Sequence, residues 1–469
     1  MASFLKRISI AIGFPWLRLV AETANEAADE VIIRDVAIIG GGSSGTYAAV
    51  RLHDSGKSVV VIEKEDVLGG HTQTYRDPTT NKTTDLGVVV FDNQQLVKDY
   101  LGRLDIPWKV APPSLLGSDA DAVYVDVHTG EVINHTAPDP GPGLAAYAAQ
   151  LAKYPHLETG FFLPDPVPED LVLPFGDFVA KYPNISSAVP TIFNFGQGLG
   201  DTLYQPTLYV LKLVSPDVVR DISIGWLTTA NEANHEIYDK ALALLGQDVL
   251  LRSRVISTDR SANDSVKVVV DTPSGNKTIQ AKKLLVAIPQ KLDNLIGFDL
   301  DANEKALFGQ FVHTGYYTSL VRHTGLPDNL TVISISPDNP SQLPQLPGVY
   351  SISPTVIAGL FDIKYGSPTS LPDDFVKGEI IAFLRQLRQS GVATMDTRQE
   401  PEFVQFQAHV PFELTVSPGA IQSGFYKKLY ALQGRRNTYY TGAAFQTHNS
   451  FMLWNYTEWH VLPLLLNDS

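Results

Sequence analysis

The chain has no cysteine and only three methionines among its 469 residues. Without a thiol it can form no disulfide, no thiolate metal site, no cysteine nucleophile and no thioether tether to a prosthetic group. Redox chemistry, if it occurs, must come from a bound cofactor. The absence says nothing about compartment, because a chain with a large core needs no disulfides. Basic clusters are also missing: 36 Lys and Arg face 50 Asp and Glu, a formal charge of -14, and a polyanion such as nucleic acid finds no electrostatic footprint. No segment beyond the N-terminus reaches the roughly eighteen uninterrupted apolar residues that a membrane span requires. No internal repeat, low-complexity tract, metal-ligand spacing or Ser-His-Asp pattern stands out.

What is present is apolar: 44% of residues are hydrophobic, enough to bury large cores in two or more folding units. The N-terminus, "MASFLKRISIAIGFPWLRLVAETANEA", sets Lys6 and Arg7 before an apolar run that ends in small residues at Ala21, a pattern that suits a secretory leader. Asn81, Asn134, Asn184, Asn263, Asn276, Asn329, Asn455 and Asn467 all begin Asn-x-Ser/Thr sequons, where chance gives roughly three or four. The expectation is a leader over residues 1–32 and a glycoprotein in the secretory pathway, with the cytoplasm as the other reading.

"VIIRDVAIIGGGSSGTYAAVRLHDSGKSVVVIEK" reads as strand, turn, helix, strand. Val36 to Ile39 form a buried strand, a helix follows from about Ser44 to His53, and Ser58 to Ile62 form a second buried strand that Glu63 closes. Gly40, Gly42 and Gly45 make G-x-G-x-x-G: a tight turn, a close approach of backbone to pyrophosphate, and close helix packing, with Ser44 at the helix start facing the phosphates. The Glu63 carboxylate suits ribose hydroxyls and argues against a 2'-phosphate.

A second glycine pair, Gly69 and Gly70, follows in "EKEDVLGGHTQTY", where an NAD-binding unit would enter another crossover helix. Here the chain resembles the flavin-containing amine oxidase superfamily, whose FAD motif runs past the acid into a glycine pair. His71 stands where arginine is usual and would be a hydrogen-bond partner of the cofactor. Two further blocks agree: the meander that ends in "AIP" at Ala287 to Pro289, and "NTYYTGAAFQTHNSFMLW", with a turn at Gly442 and a helix from Ser450 or Phe451. Within the superfamily, "GGHTQTY" and "TGAAFQTHNSFMLW" are most similar to the fungal branch related to β-cyclopiazonate dehydrogenase. The resemblance implies an α/β fold: a Rossmann-type, monoamine-oxidase-like FAD domain from residues 33–105, 245–300 and 430–469, interwoven with a mixed α/β substrate domain from 106–244 and 301–429. It also implies that the Val255 backbone touches the adenine and that Met452 lies beside the flavin, held without a cysteinyl link.

The chain departs from the amine oxidases in two places. Met452 or Leu453 occupies the position of an aromatic that builds the amine cage, and Ala444 stands where an acid is usual. The family's lysine near the flavin has no counterpart in "HTGYYTSLVRH", where Thr318 falls nearest. A pocket bordered by Tyr316, Tyr317, Phe445 and Phe451 favours a lipophilic substrate, and His448 is the candidate acid or base. The expected enzyme is an FAD-dependent oxidoreductase that takes hydride from a small lipophilic metabolite, with O2 a candidate electron acceptor. An amine or amino-acid oxidase, a redox-neutral flavin isomerase and a non-catalytic flavin-binding protein are the alternatives.

Overall fold

A computed structural model describes residues 30–467 apart from 113–114, 116–120, 197 and 394–398. The expected leader lies outside the described residues up to position 29, and the first strand, β1, begins at Glu30 and runs to Ile39. The other strands, in chain order, are β2 (Val59–Ile62), β3 (Thr72–Arg76), β4 (Thr83–Gly87), β5 (Trp108–Val110), β6 (Asp121–Asp126), β7 (Leu227–Thr229), β8 (Val249–Leu250), β9 (Arg254–Asp259), β10 (Val266–Thr272), β11 (Gly275–Val286), β12 (Val312–Arg322), β13 (Leu330–Ile335), β14 (Gly348–Pro354), β15 (Leu360–Ser367), β16 (Glu402–Thr415) and β17 (Thr438–Tyr440).

Two sheets organise the molecule. The first has the order β8-β2-β1-β11-β10-β9, with β17 also on β11. Its centre is parallel: β1 pairs with both β2 and β11, and β17 runs parallel to β11. The β9-β10-β11 meander is antiparallel. Central parallel strands are covered on both faces, so they are written as unbroken apolar runs; Val36 to Ile39 and Val59 to Ile62 are all buried. Helix Ser43–Asp54 follows β1 and packs through Ala48, Ala49 and Leu52. Its Tyr47 stacks on Trp454 at 5.7 Å, and Tyr47 and Arg51 both donate to the carboxylate of Glu458 at 2.8 to 3.0 Å. Glu458 thus fastens the C-terminal segment to helix Ser43–Asp54.

The second sheet has the order β16-β12-β15-β14-β13-β6 and is antiparallel except for the β13-β6 pair. One face is covered by helix Asp373–Gln389, which buries Val376, Ile380, Phe383, Leu384 and Leu387 at helical spacing. Along β12 the period of two sends Tyr317 and Val321 into the core under that helix. Leu320 packs with Leu86 of β4 instead, and Tyr316 packs with Phe412 of β16. This second face meets the first unit, and the site lies at that junction.

Candidate active site

The first glycine turn is built against its neighbours. Gly40 has φ +102°, and a Cβ there would lie 2.7 Å from Ile288 Cγ2; a Cβ on Gly45 would lie 1.9 Å from the Gly40 carbonyl oxygen. These two glycines close the strand-helix contact. Gly42 differs: its added Cβ would meet only the Cα of Gly70, at 3.8 Å. Across from it stand Gly69 and Gly70, with φ +117° and +55°, and a Cβ on Gly70 would lie 3.1 Å from the Cα of Gly42. The Gly69 N–H donates to the Gly41 carbonyl at 2.9 Å. The two glycine pairs are therefore adjoining walls, in direct backbone contact, of one slot at a helix N-terminus, which is why the chain carries both. Glu63, nearly buried, accepts the N–H groups of Gly41 at 2.7 Å and Glu65 at 2.9 Å. A slot whose walls carry no side chains, with a carboxylate beside it, fits a dinucleotide. Ser44 is buried at the helix start, and its neighbour Ser43 accepts the Trp454 indole N–H at 2.9 Å.

A polar network pins the second wall. Thr74 Oγ1 donates to Asp85, the Asn234 N–H donates to Asp85 at 2.9 Å, and His235 Nε2 bonds the Leu68 carbonyl at 2.9 Å. The Asn234 amide also donates to the carbonyls of Val88 and Val89. Burial pushes the Asp85 carboxyl up to about 8. Gly87, with φ +76°, lies under this network; a Cβ there would be 2.1 Å from the His71 carbonyl and 3.2 Å from the His409 ring.

His71 leads from the slot into a cluster of rings. Its centroid is 4.3 Å from His409, 5.6 Å from His448 and 5.7 Å from Phe412. Phe412 stacks on His448 at 3.9 Å and tilts against Tyr316 at 5.3 Å. Thr318 Oγ1 lies 3.4 Å from His409 Nε2. Burial lowers all three imidazoles, His71 to about 4 and His409 and His448 well below the usual range, and their mutual proximity adds to the effect for His409 and His448. They are neutral at physiological pH. Against the His448 loop, burial pushes the Glu413 carboxyl up to about 7, and Lys212, whose ammonium donates to the carbonyls of Leu157 and Gly160, is driven well below its usual range by burial.

The structure brings together Gly40, Gly42, Gly45, Glu63, Gly69, Gly70 and His71, and it places His448 and Tyr316 at the ring cluster. It turns Tyr317 away from the junction and packs Phe445 and Phe451 with the first unit. Tyr317 points to the opposite face of β12, where its hydroxyl bonds both the N–H and the carbonyl of Leu371. Phe445 stacks on Tyr440 in the core of the first unit, and Phe451 packs half-buried against that core. Met452 is buried on helix Ser450–Tyr456, its N–H held by Asn449, and borders a small cavity with Leu151, Tyr154, Leu157 and Leu211. Val255 sits half-buried in β9, opposite Val270. Gly442 has φ +107° just after β17. Sequence reasoning missed Gly87, His409, Phe412, Glu413 and Lys212. The signal available for Glu413 was an acid between the apolar residues Phe412 and Leu414; for Gly87, a glycine at the end of a strand.

Comparison with known proteins agrees with this architecture. Residues 38–104 match the NAD(P)-binding Rossmann-like domain family. The chain is 44% identical over 452 residues to the FAD-dependent oxidoreductase oblC of Cochliobolus heterostrophus, covering 94% of this chain and 92% of that protein. It is 34% identical over 459 residues to β-cyclopiazonate dehydrogenase of Aspergillus oryzae, covering 96% and 97%. Among solved structures, a CLA-producing fatty acid isomerase from P. acnes superposes with a TM-score of 0.71 at 20% identity, over 91% of this chain and 99% of that one. Wild-type putrescine oxidase bound to putrescine gives 0.63 at 17% identity, over 92% and 100%. Both likenesses show the fold: a Rossmann-type unit joined to a mixed α/β unit, as the motifs predict.

Proposed function

Because the chain belongs to the fungal FAD-dependent oxidoreductases that include β-cyclopiazonate dehydrogenase, we propose that this enzyme removes a hydride from a lipophilic, ring-bearing small molecule of specialised metabolism. The observation that carries the reading is the make-up of the junction. Tyr316, Phe412 and Tyr350 form a buried apolar cluster with Phe193 against it, and the imidazoles beside them are neutral. Such a wall desolvates an apolar substrate at little cost and gives a charged ammonium poor solvation.

The residues divide the work. The slot bordered by Gly42 and Gly70 and the N-terminus of helix Ser43–Asp54 would hold the pyrophosphate, and Glu63 would turn to the ribose hydroxyls, exchanging its bond to Gly41. His71, which continues from the slot toward the rings, would donate a hydrogen bond to the cofactor. Bound FAD supplies a two-electron acceptor. Tyr316 and Phe412 orient the substrate and exclude water, and positioning of this kind is most of what a hydride transfer needs. Molecular oxygen is the electron acceptor to be tested first. Secretory entry belongs to the same proposal: Asn81, Asn134, Asn184, Asn263, Asn276, Asn329 and Asn467 are all exposed, and an endoglycosidase mobility shift on the natively expressed protein is the check.

The deciding experiment is an anaerobic absorbance titration of the flavin-loaded protein with amines and with lipophilic indole, polyketide and fatty-acid compounds. Bleaching by a lipophilic compound is expected. Bleaching by simple amines alone would replace this reading with an amine oxidase.

A further inference from the structure

Hydride removal from a carbon bearing O–H or N–H also releases a proton, and the junction must place it. The neutral imidazoles of His71, His409 and His448 have had their basicity lowered by burial, so none of them is a good acceptor at neutral pH. A buried acid, Glu413, lies against the loop that carries His448. Glu413 is 4% exposed, and its backbone has φ +41°, a left-handed conformation that a non-glycine residue keeps only where its surroundings impose it. It follows Phe412, whose ring carries His448. Its Oε1 accepts the Thr447 hydroxyl at 3.4 Å, and its carboxyl also accepts the His448 backbone N–H. Glu413 therefore ties the loop presenting His448 to the strand presenting Phe412.

Resting on the reading of this junction as the active site, we propose that Glu413 accepts, through the Thr447 hydroxyl, the proton that the substrate loses as its hydride departs. In that step the substrate O–H or N–H bond breaks, its electron pair forms the new double bond to carbon, and the C–H electron pair leaves as hydride to the flavin. The proton goes to Thr447 Oγ1 while the Thr447 proton moves to Glu413 Oε1. The substrate is oxidised, the flavin is reduced, and the charge balances on a carboxylate that becomes neutral.

The surroundings match this role. Burial raises the carboxyl to about 7, against the hydrogen bonds from His448 and Thr447 and the charge of Lys212, so both protonation states are accessible at neutral pH. The titratable groups that face Glu413 are Lys212 and Tyr209 from helix Thr207–Leu213, Tyr426 from helix Phe425–Tyr430, and His448 from the loop. Glu158 also acts on Lys212. Tyr209 accepts the Val416 N–H and the Tyr426 hydroxyl.

The test needs no known substrate. The reduction potential of the bound flavin is measured by anaerobic dithionite titration across about two pH units either side of neutrality. If Glu413 takes up the proton, the wild-type potential falls more steeply with pH around neutrality than that of Glu413→Gln, by the extra proton taken up on reduction, and Thr447→Val keeps the wild-type dependence. Superimposable curves for wild type and Glu413→Gln would overturn the proposal. Should Glu413→Gln fail to fold, infrared titration of the wild-type protein labelled with 13C-glutamate gives the answer: a buried carboxyl band that gains a proton on flavin reduction supports the proposal, and no such band overturns it. With a bleaching substrate in hand, Thr447→Val should slow flavin reduction by about 100-fold. A steeper pH dependence for wild type than for Glu413→Gln in a protein that no lipophilic compound bleaches would retain Glu413 and reject the substrate class.

Discussion

The glycine slot and the ring cluster lie side by side, yet they are made in different ways. The slot comes from two short stretches about 25 residues apart, and its working parts are backbone: left-handed glycines, N–H groups and one carboxylate. The ring cluster draws His71, Tyr316, His409, Phe412 and His448 from four separated segments, and its working parts are side chains that meet where the paired strands β12 and β16 face the loops of His71 and His448. A site made of backbone needs particular residues at particular spacings. A site made of packed side chains needs only a fold that brings them together.

Mutation can break either half separately. The largest expected effect is Gly45→Ala, which drives a Cβ to 1.9 Å from the Gly40 carbonyl. Because no side chain can give way, it should cost at least about 3 kcal/mol, and thermal unfolding at the wild-type temperature would show that the strand-helix contact is looser than described. Phe412→Ala removes the ring between His448 and Tyr316 and should cost about 3 kcal/mol in chemical denaturation. If the two regions are independent, this variant still retains its flavin. Glu63→Ala should weaken FAD binding by roughly 1 to 3 kcal/mol with little change in substrate-driven bleaching by the loaded enzyme; unchanged affinity in a flavin-exchange titration would remove the acid from the cofactor site.

The smallest effect sharpens the comparison through pH. The Asp85 carboxyl is raised to about 8, so the stability it provides is full below the unfolded value near 4 and is lost as pH rises through 8. Between about pH 6 and 8 this contributes a decline approaching 1 kcal/mol per pH unit. Asp85→Asn cannot ionise, and its melting temperature should fall less than that of the wild type across this interval. Parallel curves would mean that the second glycine wall does not depend on the Asp85 network.

Legibility followed the same division. The turn at Gly40 to Gly45, Glu63, the pair at Gly69 and Gly70, and the helix starting at Ser450 could all be read from the chain, because each is a local requirement for a positive φ, a close backbone approach or a helix start. Tyr316 and Tyr317 could not be separated without knowing the face of β12, and one residue of register moves a side chain from the junction to the core under helix Asp373–Gln389. Phe445 and Phe451 stand beside a cofactor motif, and sequence does not tell a core aromatic from a pocket one there; the fold packs Phe445 in the core and Phe451 half-buried against it. Glu413 and Lys212 were invisible for a different reason: their significance is burial, and a single charged residue in an apolar stretch does not reveal how deeply it sits.

The measurement that bears most directly on the central claim is the flavin content of Gly42→Ala. Gly42 has φ -76°, open to any residue, and its added Cβ meets nothing closer than 3.8 Å, so the substituted chain should fold with wild-type circular dichroism and melting behaviour. The methyl group would nevertheless stand on the slot wall where bare backbone is needed. The expected result is a folded protein with much less flavin absorbance than the yellow wild type. A folded Gly42→Ala protein that holds flavin at the wild-type stoichiometry and affinity would show that the cofactor does not lie against the glycine slot.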